Sequence, residues 1–184
     1  MTWRTVREDE LGPQDHTELA ALLRASFPTY AHAYPGSRSW AGARPELRVV
    51  AHDDRGPAAH LGAARRFLRL DAGGELLVAT VGMVAVRPDL QGGGTGRQLM
   101  HHLRRALGDL AVPFGMLQCG EQVYGYYRSV GWHLLPPTPV SYGPLDVDDP
   151  HRSVTDTEGW MVLPVAAALE DWPAGGMHWD GEMI

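Results

Sequence analysis

Lysine is absent from this 184-residue chain: its 16 basic side chains other than histidine are all arginine. That excludes a lysine Schiff base and any nucleotide site that needs a P-loop lysine. Cysteine occurs once, at Cys119, so neither an internal disulfide nor a cysteine-rich metal site can form. Cys119 is expected to be a small buried side chain late in a strand. No apolar run approaches the length of a bilayer-crossing helix, and Met1–Glu8 lacks the basic-then-apolar layout of a signal peptide. The expectation is a cytoplasmic protein with no membrane partner and no metal. The formal charge of −6 argues against nucleic acid and suits a cationic acceptor such as a polyamine or an amino sugar.

What is present fits one globular domain over residues 1–184, with residues 166–184 as a tail near the acceptor site. A short strand near Trp3–Val6 precedes a helix in which Asp15 and Glu18 have capping-box spacing. Leu19, Leu22, Leu23 and Phe27 line one face of that helix, and Pro28 closes it. Residues 30–45 read as an irregular segment. Strands are expected at Leu47–His52, Ala58–Leu70 and Glu75–Val86, the last nearly all apolar and therefore central. Gly82 within it signals a bulge or a close backbone approach. A helix from Gly94 to Gly108 should turn Leu99, Leu103, Ala106 and Leu110 inward. A strand at Phe114–Cys119, a helix at Glu121–Val130 and strands near Trp132–Tyr142 and Gly159–Val165 follow. Residues 143–158 read as a long loop. The order predicts an α/β fold with a mixed, mostly antiparallel sheet flanked by helices.

The segment Val84-Ala85-Val86-Arg87-Pro88-Asp89-Leu90-Gln91-Gly92-Gly93-Gly94-Thr95-Gly96 carries the chemistry. It runs from a strand through glycines into a helix, where backbone N–H groups lack internal partners and the dipole is positive. A pyrophosphate fits there without lysine. A dinucleotide fold is disfavoured, because the preceding strand does not open a βαβ unit and no acidic residue ends the next strand.

Gln91-x-x-Gly94-x-Gly96 resembles the acetyl-CoA signature of the GNAT N-acyltransferase superfamily. The resemblance implies a sheet splayed at the acyl-CoA site and acetyl-CoA as co-substrate. It assigns Met83, Val84, Ala85, Val86, Gln91, Gly92, Gly93, Gly94, Thr95 and Gly96 to cofactor binding. Tyr127-Arg128-Ser129-Val130-Gly131-Trp132 resembles a second family feature, in which the tyrosine protonates the departing thiolate; a phenol with a pKa near ~10 can do so at neutral pH.

Two branches of the superfamily are similar to this chain. Residues 36–48, His60 with its neighbours, Val86–Leu90 and Val162–Val165 resemble the rhizobial nodulation protein A family, which acylates the free amine of a chitin oligosaccharide with a fatty chain. Gln91–Gly96, Tyr127–Trp132, Pro136–Ser141 and Asp171-Trp172-x-Ala174-Gly175 resemble the aminoglycoside 2'-N-acetyltransferases. The main expectation is acetyl transfer to the 2'-amine of an aminoglycoside-type, kasugamycin-like antibiotic, an antibiotic-resistance activity. Nodulation-type transfer is the alternative, and a non-catalytic acyl-CoA-binding module is a rival of another class. Where these branches carry a carboxylate base, this chain reads Thr80-Val81-Gly82-Met83. His60 is the substitute base, with Glu46 and Glu121 behind it. Trp40, Asp171 and Trp172 are the expected acceptor contacts, through ring stacking and ammonium pairing. Asp146, Asp148 and Asp149 could add carboxylates. Dimerisation rests on family likeness alone.

Overall fold

The computed structural model describes residues 1–144, 149 and 151–184. The chain packs as two compact units. One comprises Met1–Ala64, Val81–Ala106 and Ile184; the other comprises Arg65–Thr80 and Leu107–Met183.

The first unit holds β1 (Thr2–Arg7), α1 (Pro13–Ser26), β2 (Leu47–Asp53), the start of β3 (Gly56–Leu70), the end of β4 (Glu75–Val86) and most of α2 (Thr95–Asp109). β2 lies between β1 and β3, antiparallel to both, with Val6 opposite Arg48 and Val50 opposite His60. Five consecutive residues of β2, Leu47–Ala51, are buried, as a strand covered on both faces requires. α1 begins one turn earlier than an Asp15 cap would have it. Pro13 takes the first helical position, where no N–H is needed, and Asp15 accepts the Gly12 N–H at 2.9 Å from inside the helix. Leu19 packs on Val6 and Val50, while Leu22 and Leu23 join Tyr34, Ala41, Met83 and Ala85. α2 buries Leu99, Met100, Leu103 and Ala106, the i, i+4, i+7 pattern of a helix with one apolar face.

In the second unit the strand order is β6-β9-β5-β4-β3-β10-β7-β8. Its own elements are β5 (Phe114–Gln118), α3 (Tyr124–Ser129), β6 (His133–Leu134), β7 (Val140–Gly143), β8 (Val154–Asp156), β9 (Trp160–Pro164) and β10 (Met177–Glu182). Among the described residues β4–β5 and β7–β10 pair in parallel, within an otherwise largely antiparallel sheet. The mixed α/β expectation holds. The core gathers Leu68, Val78, Phe114, Met116, Val140, Trp160, Val162, Met177 and Trp179.

The structure departs from the sequence expectations in three places. The strand expected over Trp132–Tyr142 is two strands, because Pro136 and Pro137 supply no N–H to a ladder. The loop expected over 143–158 contains β8, a partner for β7. The tail expected at 166–184 ends in β10, which sits between β3 and β7 with Met177 and Trp179 buried and Asp180 exposed.

Candidate functional site

The site begins where β4 leaves its ladder. β4 pairs with β5 only over Val78–Thr80 and continues to Val86. Met83 has φ +52°, a left-handed conformation that a side-chain-bearing residue rarely adopts, so the strand is bulged there. Gly82 is the close approach its sequence position suggested: a Cβ there would run into the carbonyl oxygen of Ile184. Beyond the bulge, Met83 and Ala85 point into the core while Val84 and Val86 are half-buried.

Arg87 then anchors the chain. Its guanidinium pairs with Asp53 of β2 and, through Nε at 2.7 Å, with Asp89; Arg55 also pairs with Asp89. Hydrogen bonds from Arg87 hold the carboxyl of Asp53 well below the usual carboxylate range. A single 3-10 turn over Pro88–Leu90 leads to Gln91, whose Nε2 donates to the Val86 carbonyl at 3.0 Å. The backbone reverses at Gly92 (φ +76°) and Gly94 (φ +88°), both exposed, before Thr95 opens α2. Nothing lies within 4 Å of where a Cβ would stand at Gly92 or Gly94, so glycine is required there by conformation and leaves the approach to the main chain open. The expected cofactor residues Met83–Val86 and Gln91–Gly96 therefore form one continuous backbone path in one unit. Their fit to a pyrophosphate is that of main-chain amides in a side-chain-free turn, Gly92–Gly94, leading into a helix start.

His60 does not suit the role expected of it. The ring is fully buried; its Nδ1 lies 3.0 Å from the Met83 carbonyl and its Nε2 3.1 Å from Nη1 of Arg48. A carbonyl only accepts, so Nδ1 carries the proton and Nε2 accepts from the guanidinium. Both nitrogens are engaged, and no lone pair is left for an acceptor ammonium. Burial, then the Arg48 charge, lowers its pKa to about 3.

Sequence reasoning missed Arg48. It is fully buried, held bidentately by Glu8 at 2.6 and 3.0 Å, and it also donates to the Ser39 carbonyl at 2.8 Å. An arginine inside the apolar run Leu47–Val50 was the available signal.

The acceptor residues are placed differently from expectation. Trp40 in the first unit has Arg44 stacked on its ring at 3.8 Å and His16 edge-on at 5.7 Å, so its own chain already occupies it. In the second unit Trp172 packs edge-to-face on Phe114 at 5.1 Å against the core. Asp171 is exposed, and its carboxylate accepts the Ala168 N–H at 3.1 Å, closing a turn. Asp149 closes another by accepting the His151 N–H, while Asp146 and Asp148 lie outside the described residues. Glu121 is exposed and Glu46 half-buried.

Tyr127 is 7% exposed on α3, edge-on to Trp132 at 5.9 Å and to Tyr126 at 5.0 Å. Gly131 (φ +91°) ends the helix, and the Trp132 N–H returns to the Tyr127 carbonyl at 3.0 Å, which explains the spacing of tyrosine, glycine and aromatic. Burial, with Cys119 and Tyr126 nearby, raises the phenol pKa above its ordinary value. Cys119 follows β5, half-buried, its thiol pushed up by burial to about 11, so it is a poor nucleophile. Among the described residues no group of histidine, cysteine and carboxylates could hold a metal, and no helix is long and apolar enough to cross a membrane.

The nodulation protein A (NodA) family matches residues 1–180. Nodulation protein A of Bradyrhizobium sp. (strain ANU 289) is 50% identical over 184 residues, covering 94% of this chain and 86% of that protein. The Rhizobium tropici protein of the same name is 39% identical over 190 residues, with 94% and 92% covered. Among solved structures, a GNAT family N-acetyltransferase from Escherichia coli in complex with CoA matches with TM-score 0.63 at 18% identity, over 97% of this chain and 88% of its own. A GNAT acetyltransferase from Brucella melitensis in complex with acetyl-CoA matches with TM-score 0.58 at 18% identity, over 96% and 94%. Those identities speak to fold and not to acceptor. The sequence relatives favour the nodulation-type alternative over the aminoglycoside reading, which they leave without support. This chain belongs to the nodulation protein A family and has the GNAT fold.

Proposed function

We propose that the chain, as one cytoplasmic acyltransferase domain, moves an acyl group from an acyl-CoA to the free amine of an amino sugar. The favoured form is the nodulation type, with a long acyl chain and a chitin-like oligosaccharide. The observation that carries this is the main-chain path from the bulge at Met83 to the glycine reversals at Gly92 and Gly94 and into α2. Bare amides at a helix start suit the paired phosphates of CoA. A bulged strand turns peptide groups out of its ladder, where they can bind a pantetheine arm and an oxyanion.

The chemistry is direct transfer. The acceptor ammonium gives its proton to water, the amine attacks the thioester carbonyl, and the tetrahedral intermediate expels the thiolate. Tyr127 donates its phenolic proton to that sulfur and is reprotonated from solvent. No covalent enzyme intermediate is needed, in keeping with the raised pKa of Cys119. Holding amine and thioester together supplies much of the rate.

Thiol release tests the proposal. Purified protein is offered acetyl-CoA or a long-chain acyl-CoA with a chitin oligosaccharide bearing one free amine, and separately with a panel of aminoglycosides. Turnover with the long chain and the oligosaccharide is expected. Acetyl transfer to an aminoglycoside alone would move the assignment to the antibiotic branch. Binding of acyl-CoA without thiol release for any amine would make the protein a binding module.

A further inference from the structure

The half-buried Glu8 and the buried Arg48 and His60 run in a single file to the bulge of β4, and nothing in the proposed chemistry uses them. Glu8, 13% exposed at its side chain, is the only end of the file that meets solvent among these three. It grips Nε and Nη2 of Arg48 at 2.6 and 3.0 Å. Nη1 of Arg48 spends its two hydrogens on the Ser39 carbonyl at 2.8 Å and on Nε2 of His60 at 3.1 Å. The remaining proton of His60, on Nδ1, goes to the Met83 carbonyl at 3.0 Å. Four of the five guanidinium hydrogens of Arg48 thus meet an acceptor within the file or its flank, and the tautomer of His60 follows from its two partners.

A guanidinium and an imidazole stripped of water are costly to keep in a core unless every polar atom is matched. Leucine in both positions would fill the space at less cost in polar satisfaction. What the file provides is a fixed donor under the Met83 carbonyl, where the backbone leaves the regular strand conformation. Met83 holds φ +52°, a conformation that persists only where its surroundings over-determine it. The Met83 side chain packs with Leu22, Leu23, Tyr34, Ala41 and Ala85, which fixes its position but not the rotation of its peptide group. The His60 N–H fixes that rotation.

We infer that Glu8, Arg48 and His60 are positioning residues: by holding the Met83 carbonyl inward they turn the following peptide N–H groups of β4 toward the reacting thioester. The inference rests on the acyltransferase reading of β4, and it replaces the base role expected of His60 with an orienting one.

The test compares His60→Gln with His60→Leu in the full-length protein. Glutamine keeps a donor for the Met83 carbonyl and an acceptor for Arg48; leucine keeps volume alone. In wild type, ¹⁵N-histidine NMR should show one ring, identified by its absence in His60→Gln, as a neutral Nδ1–H tautomer that does not titrate between pH 5 and 8. His60→Leu should lower kcat by on the order of tenfold to a hundredfold with KM for acyl-CoA changed little, since a misaligned reacting group costs rate more than binding. His60→Gln should recover most of that loss and leave the shape of the pH–rate profile unchanged.

A His60→Leu protein that is folded and turns over like wild type overturns the inference. So does a His60→Gln protein as slow as His60→Leu that has lost the acidic limb of its profile, because that is the mark of a base. If wild type releases no thiol with any acyl-CoA, the acyltransferase reading has failed instead, and the NMR tautomer still decides whether the file exists as described. A titrating His60 overturns it on that arm.

Discussion

Tyr127 illustrates how much one side chain can be asked to do in this fold. Its ring is locked between Trp132 and Tyr126, and burial keeps the phenol protonated beyond its ordinary range. A donor that stays protonated at every working pH suits one proton delivery to a thiolate. Tyr127→Phe should therefore lower turnover on the order of a hundredfold while calorimetric acyl-CoA affinity stays within about twofold. Equal turnover would remove Tyr127 from the mechanism. His60 makes a different prediction at the same scale. Its folded pKa of about 3 lies below the ordinary 6.5, so between those values the unfolded chain binds a proton that the folded protein refuses. Stability must then fall as pH drops from about 6.5 toward 3, by up to about 1.4 kcal/mol per pH unit from this group. His16, His52 and His102, also lowered chiefly by desolvation, add in the same direction. Urea melts from pH 7 to pH 4 should show this slope, and it should be shallower in His60→Gln.

At the scale of elements, the glycine turn and its anchor divide the work. Arg87, tied to Asp53 and Asp89, fixes where the turn starts, and Thr95, buried, fixes where α2 begins. Between them Gly92 and Gly94 bear the reversal. Gly94→Ala meets no neighbour within 4 Å, so its cost is the left-handed conformation itself, about 1–2 kcal/mol. In a protein of this length that lowers Tm by about 2–4 °C per kcal/mol. Acyl-CoA binding by calorimetry should weaken several-fold more than that small loss of stability would explain, because the relaxed turn moves the amides. A variant with unaltered affinity would show that the turn does not hold the phosphates. This element was legible in the sequence, since a strand, three glycines and an amphipathic helix stand in register within Val84–Leu103. Its anchor was not. Asp53, one of the two partners of Arg87, lies in β2, and no periodicity within one segment points to a residue in another.

For the molecule as a whole, β10 is the element that sequence reading placed worst. Met177-His178-Trp179-Asp180 alternates as a strand should, yet it follows a proline- and glycine-rich stretch and reads as tail when taken alone. In the structure β10 pairs with β3 and β7 and puts Met177 and Trp179 into the core of the second unit. Each such burial is worth about 1.5–3 kcal/mol, against a total stability of about 5–15 kcal/mol for a typical domain. A chain cut after Ala174 should lose near-ultraviolet circular dichroism and aggregate through the edges of β3 and β7. A soluble, cooperatively melting truncation would contradict that placement.

Local order and local chemistry were written in the chain: the bulge at Gly82–Met83, the glycine reversal before α2, the tyrosine four residues ahead of Gly131, and the family they imply. These depend on φ, on periodicity and on helix ends, all set within about a dozen residues. The partners of His60, the occupied faces of Trp40, the core placement of Trp172 and the burial of Arg48 belong to the tertiary structure. Each depends on which distant strand or loop comes to lie beside it, and a side chain's chemistry is fixed by the neighbours that folding brings and not by those along the chain.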